Sequence, residues 1–130
     1  MNTRLVLLLT RDRAFEKLLT EAVLKTGAAV ILIARNIGEA LQIVCTRGRE
    51  LAFAVIDFGE GCHGMTLLSA LNMCRADLPI AVVTSSDACH AAAIAYTNGV
   101  AACLSKPISG AELEIVIREW RCPKVELTAA

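Results

Sequence analysis

Five apolar runs divide the chain, and between them apolar residues recur at helical spacing. Leu5 to Leu9 is continuously apolar, the pattern of a parallel strand buried on both faces. Asp12 stands where a helix cap is wanted, and Phe15, Leu18, Leu19, Ala22 and Val23 follow on one helical face up to Gly27. Ala29 to Ala34 predicts a second strand. Asn36 can cap a second helix carrying Ile37, Ala40, Leu41 and Val44 and ending near Gly48. Leu51 to Ile56 is a third strand, Gly59 to Gly64 a glycine-rich loop, and Met65, Leu68 and Leu71 line a third helix. Pro79 opens a strand at Ile80–Val83. Asp87 can cap a helix running to about Asn98, Gly99 stops it, and Val100 to Leu104 is a fifth strand. Ser109 and Glu112 form an S-x-x-E capping box before a last helix with Leu113, Val116, Ile117 and Trp120 on its apolar face.

Strands alternating with helices make an α/β fold: a doubly wound five-stranded parallel sheet with helices on both faces. Right-handed crossovers and the order 2-1-3-4-5 put strands one and three at the topological switch point, where open sheets place their chemistry beyond the carboxyl ends of the strands. Residues 1–122 are expected to form one domain, with 123–130 a C-terminal tail or the start of a linker.

Composition narrows the function classes. Hydrophobic residues make up 55% of the 130, which excludes a disordered chain, and aromatics only 4%, so the core must come from Leu, Ile, Val and Ala. Thirteen basic and thirteen acidic residues cancel, so no field for nucleic acid or a membrane surface is expected. The cysteines, Cys45, Cys62, Cys74, Cys89, Cys103 and Cys122, contain no C-x-x-C pair. The apolar stretch near Met1 is too short for a leader peptide and lacks a cleavage site. Reduced structural thiols in a cytoplasmic protein are the expectation, with redox sensing through Cys62 or Cys103 as the sharper alternative. The longest uncharged stretch, Ala88 to Ser105, is interrupted by His90, Asn98 and Gly99 and does not read as a membrane span.

The chemistry-bearing residues fall at strand ends. Asp57 closes the third strand, Thr84 the fourth and Lys106-Pro107 the fifth. With Val82-Val83-Thr84-Ser85, Leu104-Ser105-Lys106-Pro107 and Gly38-Glu39-Ala40-Leu41, the chain from about Arg4 to Trp120 resembles the receiver domains of two-component response regulators, chemotaxis-regulator-like in type. The resemblance implies a flavodoxin-like receiver fold in a cytoplasmic phosphorelay protein that is not an enzyme. It makes Asp57 the phosphoacceptor and Lys106, Thr84 and Ser85 the phosphoryl-contacting residues. It also makes the peptide before Pro107 cis, aiming Lys106.

Three departures from the family pattern stand beside it. The family holds Mg²⁺ with an acidic pair after strand one, the phosphoacceptor and a backbone carbonyl two residues beyond it. Here the pair positions read Thr10 and Arg11, with Asp12 one place late. Asp57, Lys106 and Arg11 sum to one positive charge, which disfavours a divalent cation unless Arg11 points away and Asp12 turns in. Arg11 or Lys106 is expected to pair with Asp57 in the metal's place. If a metal binds at all, Asp12, Asp57 and the Gly59 backbone are its expected ligands. Second, the loop after Asp57 lacks the family's proline and brings Gly64 one residue early, which predicts a more mobile loop. His63 in that loop, like His90, is expected to be solvated. Third, Cys103 occupies the switch position, where many receivers carry Tyr or Phe.

The expected function is therefore an atypical receiver with impaired Mg²⁺-dependent phosphorylation, needing no cofactor. It would act through a histidine kinase or other signalling protein, or through a homodimer. The uncharged fourth predicted helix, Ala88 to Tyr96, with the fifth strand and last helix would form that surface. The alternative is a phosphorylation-competent receiver, with Mg²⁺, that accepts a phosphoryl group on Asp57 and controls an output domain, transcriptional or otherwise. A small-molecule binder of flavodoxin type would need a phosphate-cradling loop, and Gly59 to Gly64 is not one.

Overall fold

The computed structural model describes residues 4–26, 29–59, 62–84 and 99–121. Strand β1 (Arg4–Leu9) leads into α1 (Arg13–Thr26), β2 (Ala29–Ala34), α2 (Ile37–Arg47), a 3₁₀ turn (Gly48–Glu50), β3 (Leu51–Asp57) and α3 (Gly64–Cys74). After β4 (Ile80–Thr84) the described chain resumes at Gly99 and continues through β5 (Ala102–Ser105) to α4 (Gly110–Arg121). The sheet is parallel throughout, in the order β2-β1-β3-β4-β5. The doubly wound architecture expected from the alternating pattern is the one observed.

Side-chain alternation splits the core into two layers. Leu5, Leu7, Leu9, Ala54, Ile56, Ile80 and Val82 face α2 and α3, packing on Val44, Leu67, Leu68 and Leu71. Val6, Leu8, Phe53, Val55 and Val83 face α1 and α4, packing on Phe15, Leu19, Val23, Leu113 and Ile117. Central strands buried on both faces need apolar residues at every position, which is why β1 reads as an unbroken run.

The helix starts follow the sequence. Asp12 Oδ1 accepts from the N–H groups of Ala14 (3.0 Å) and Phe15 (3.1 Å), and Asn36 Oδ1 from Glu39 N–H (2.9 Å). The Ser109–Glu112 box is closed in both directions, at 3.2 and 3.1 Å. Two differences from expectation follow from the packing. The fifth strand begins at Ala102, not Val100, because the ladder with β4 starts at Ala81↔Ala102, and Val100 is buried in the preceding loop. Met65 is exposed, while Leu67 takes its expected place in the core, since α3 begins at Gly64 and turns that face inward. The Gly27 helix stop, the 87–98 helix, the Trp120 side chain and the tail lie outside the described residues.

Candidate functional site

The register brings three strand ends to one place. Asp57 is the last residue of β3, paired with Val83, and Thr84 is the last of β4, paired with Ser105. Lys106 follows directly, its N–H bonded to Thr84 O at 2.8 Å, and the Lys106–Pro107 peptide is cis. Thr10 lies just beyond β1, its N–H bonded to Ala34 O at 3.1 Å. Thr10, Asp57 and Thr84 are the buried polar side chains among the described residues.

Asp57 is enclosed by donors. Its Oδ2 accepts from Thr10 Oγ1 at 2.6 Å and from Lys106 Nζ at 3.0 Å, and its Oδ1 from Gly59 N–H at 2.7 Å. A buried carboxylate is tolerable only when paired and hydrogen-bonded, and each of its oxygens is satisfied here. Lys106 Nζ also reaches Asp12 Oδ2 at 2.9 Å and stands 5.6 Å from the centre of the Phe15 ring. Burial works against the Lys106 ammonium, but the hydrogen bonds and charges of Asp12 and Asp57 outweigh it and raise its pKa above the usual lysine value. The Lys106 hydrogen bond, helped by the Phe15 N–H, holds the Asp12 carboxyl below its usual value. Asp12 N–H in turn bonds Thr10 Oγ1 at 3.1 Å, so a single chain of bonds runs Asp12–Thr10–Asp57 and closes through Lys106.

The family model for the response regulator receiver domain matches residues 6–118. The chain belongs to the response regulator receiver domain family. Its fold is similar to that of a response regulator receiver domain protein from Clostridium thermocellum (TM-score 0.80, 18% identity, 90% of this chain and 93% of that one). It is likewise similar to a CheY-like receiver domain protein from Methanospirillum hungatei (TM-score 0.78, 20% identity, 90% and 92%) and to the receiver domain of NtrX from Brucella abortus (TM-score 0.78, 18% identity, 88% and 96%). At such identities these likenesses show the fold alone. No curated protein matches the sequence. As a receiver domain the chain is a signalling module of a two-component system. No helix among the described residues is long and apolar enough to cross a membrane.

In this receiver the sequence-predicted residues Asp57, Lys106, Pro107, Thr10 and Asp12 converge. Of the two cations expected to reach Asp57, Lys106 makes the pair and Arg11 is exposed. Asp12 turns in. The Thr84 hydroxyl turns toward β5, 3.4 Å from Leu104 O, and Ser85 lies outside the described residues. Cys103 is half-buried on β5. Burial pushes its thiol pKa up, with the Thr84 hydroxyl opposing. Cys62 is buried beside the site, its thiol pushed up by burial and by the Asp57 charge.

Glu60 and Gly61 lie outside the described residues. On either side the loop is held: Cys62 N–H bonds Gly59 O at 3.2 Å, and His63, exposed, takes a left-handed conformation (φ 55°) that starts α3 without a side-chain cap. Gly64 is required by contact, since a Cβ there would sit 2.8 Å from Phe58 Cε1 and 3.0 Å from Ile56 Cγ2.

Sequence reasoning took Thr10 only as a missing acid. Its donor role could have been found from the chemistry alone, since a buried aspartate beside a short hydroxyl side chain wants that proton. Spacing places Phe15 on the core face of α1, where it is buried, and carries no signal for its place beside Lys106.

Proposed function

We propose that this receiver is an atypical member in which an internal network replaces the divalent cation, so that Mg²⁺-dependent phosphorylation of Asp57 is impaired and signalling proceeds by protein–protein contact. The observation that carries the reading is the engagement of both Asp57 carboxylate oxygens by Thr10, Gly59 and Lys106. Mg²⁺ needs several oxygen ligands in near-octahedral geometry. The residues present do not fit it. Asp57 has both oxygens engaged, and Asp12 spends one on the start of α1 and the other on Lys106. Among the described residues no cluster of three or more His, Cys, Asp or Glu could hold a metal. An entering cation must also displace the ammonium, and at an effective dielectric near 20 two positive charges about 4 Å apart repel by about 4 kcal/mol per unit of charge.

On this reading Asp57 is a structural anchor, and Thr84, Ser85 and Cys103 do not relay a phosphorylation signal. The module works without a cofactor and is not an enzyme. Its partners are a histidine kinase or another signalling protein, and a second copy of the chain meets it through the uncharged 88–96 segment together with β5 and α4. The domain is 1–122, the remainder is tail or linker, and the protein is cytoplasmic. Calorimetric titration with Mg²⁺ tests the central point: the native chain should bind no more than its Asp57→Asn variant.

A second reading has one specific observation behind it. Arg11 is exposed and Asp12 points into the site, so Asp12, Asp57 and Lys106 sum to one negative charge. If Lys106 yields, Asp12, Asp57 and the Gly59 carbonyl become ligands and Asp57 becomes a phosphoacceptor controlling an output domain. In another NtrX structure from Brucella abortus the match covers 26% of that chain, a fold relative longer than the matched part. Tight Mg²⁺ binding that depends on Asp57 would select this reading.

A further inference from the structure

The pole of the sheet opposite Asp57 carries a second constellation, independent of the phosphoacceptor. A cleft of about 670 Å³ opens between the carboxyl ends of α2 and α3, lined by Cys45, Cys74, Arg47, Gly48, Arg49 and Arg75. Both cysteines are free and exposed, whereas Cys62 is buried and Cys103 half-buried. Cys74 is the last residue of α3, and Cys45 lies in the last turn of α2. The floor is fixed by Arg75, whose Nη1 donates to Gly48 O (2.7 Å) and Leu51 O (3.2 Å), tying the two helix ends together. Arg75 and Arg47 share their charge with Asp77 and Glu50, each at 3.1 Å. Arg49 is exposed and makes no ion pair with a described residue. The cleft is within the size range of small-molecule sites, about 300–1,000 Å³. It combines nucleophilic sulfur with guanidinium groups that suit carboxylates.

We propose that this cleft is a thiol-modification site for small anionic disulfides, in which Cys45 and Cys74 react in turn. The thiolate of one cysteine attacks a sulfur of the disulfide. The external S–S bond breaks, a mixed disulfide forms, and one small thiol leaves, taking up the proton that the cysteine gave up. The second cysteine attacks the mixed disulfide, releases the second small thiol and leaves a Cys45–Cys74 bond. Two protein thiols are oxidised and one external disulfide is reduced to two thiols. Both cysteines lie in the last turns of their helices and line the same cleft, and the internal bond requires their Cα atoms within about 7 Å. Arg49 holds the carboxylates of the incoming disulfide.

The test is timed incubation of the full chain with oxidised glutathione, or with the uncharged 2-hydroxyethyl disulfide, followed by peptide mapping. Modification should appear at Cys45 and Cys74 ahead of Cys62 and Cys103. Cys45→Ser should lose the internal disulfide and accumulate a mixed disulfide on Cys74. Arg49→Glu, a surface change, should slow the reaction with oxidised glutathione about three-fold or more and leave the uncharged reagent unaffected. Modification of Cys62 or Cys103 first, absence of a Cys45–Cys74 bond in the oxidised native chain, or indifference of the glutathione reaction to Arg49→Glu would each overturn the proposal.

Discussion

Thr10 Oγ1 lies 2.6 Å from Asp57 Oδ2, a fully buried bond joining the end of β1 to the end of β3. A hydroxyl can donate to a carboxylate where a second carboxylate would repel it. The bond therefore explains how a buried aspartate stands on the axis of the sheet with only one ammonium beside it. Removing the donor should leave a charged acceptor short of a partner, a cost of about 1–3 kcal/mol. Thr10→Val, nearly isosteric, should lower the denaturation free energy by that amount in urea titration, whereas Thr10→Ser should lower it less.

Restoring an acid at the same position inverts the site. Thr10→Asp sets a second carboxylate against Asp57, so the variant should melt below the native chain without divalent ions and recover when Mg²⁺ is added. The native chain should show no such recovery. Equal responses of the two proteins to Mg²⁺ in thermal melts would contradict the assignment of Thr10 as the residue that closes the metal site.

Lys106 is the counter-ion of a side chain only 3% exposed. Breaking a buried pair from one side leaves an uncompensated charge, at about 3–5 kcal/mol. Lys106→Met should carry that penalty in the native background and much less of it in Asp57→Asn. A double-mutant cycle by urea denaturation reads the difference, and additive costs would mean that the pair is not coupled.

The titrations of Asp12 and Lys106 set opposite limits on stability. The Asp12 carboxyl is held below 3.8, so its contribution is present above that pH and is lost as pH falls through the lower folded value. The Lys106 ammonium is held above 10.5, so its contribution is full below that pH and is lost as pH rises through the folded value. Asp12→Asn keeps a helix cap but gives Lys106 no charge. Its acid limb below pH 3.8 should be shallower than that of the native chain in melts across pH.

Phe58 lies against Gly64 at the start of α3. Gly64→Ala should force that ring or the start of α3 to move, at about 1–3 kcal/mol, measured by chemical denaturation. A neutral result would mean that the ring yields freely.

The fold was legible because pattern carries it: short unbroken apolar runs such as Leu5 to Leu9 suit strands covered on both faces, and Asp12, Asn36 and Ser109 announce their helices. Strand limits were less so, since Val100 is apolar for burial in a loop and looks no different from a strand residue. The convergence of Asp57, Thr84 and Lys106 was legible from their places at strand ends. What the residues do to one another was not. Whether Asp12 faces outward or reaches Lys106, and whether Arg11 or Lys106 takes Asp57, depends on side-chain direction beyond β1, which spacing does not encode. The Gly64–Phe58 contact joins residues of unlike type across a turn and left no pattern to read.

The most direct test of the account is the intact mass of the protein after incubation with acetyl phosphate and Mg²⁺, with Asp57→Asn in parallel. The account predicts that the native chain, like the variant, gains no phosphoryl group, because Thr10, Gly59 and Lys106 already occupy the carboxylate. A single phosphoryl adduct that requires Mg²⁺ and disappears in Asp57→Asn would contradict it and make this a working phosphoacceptor.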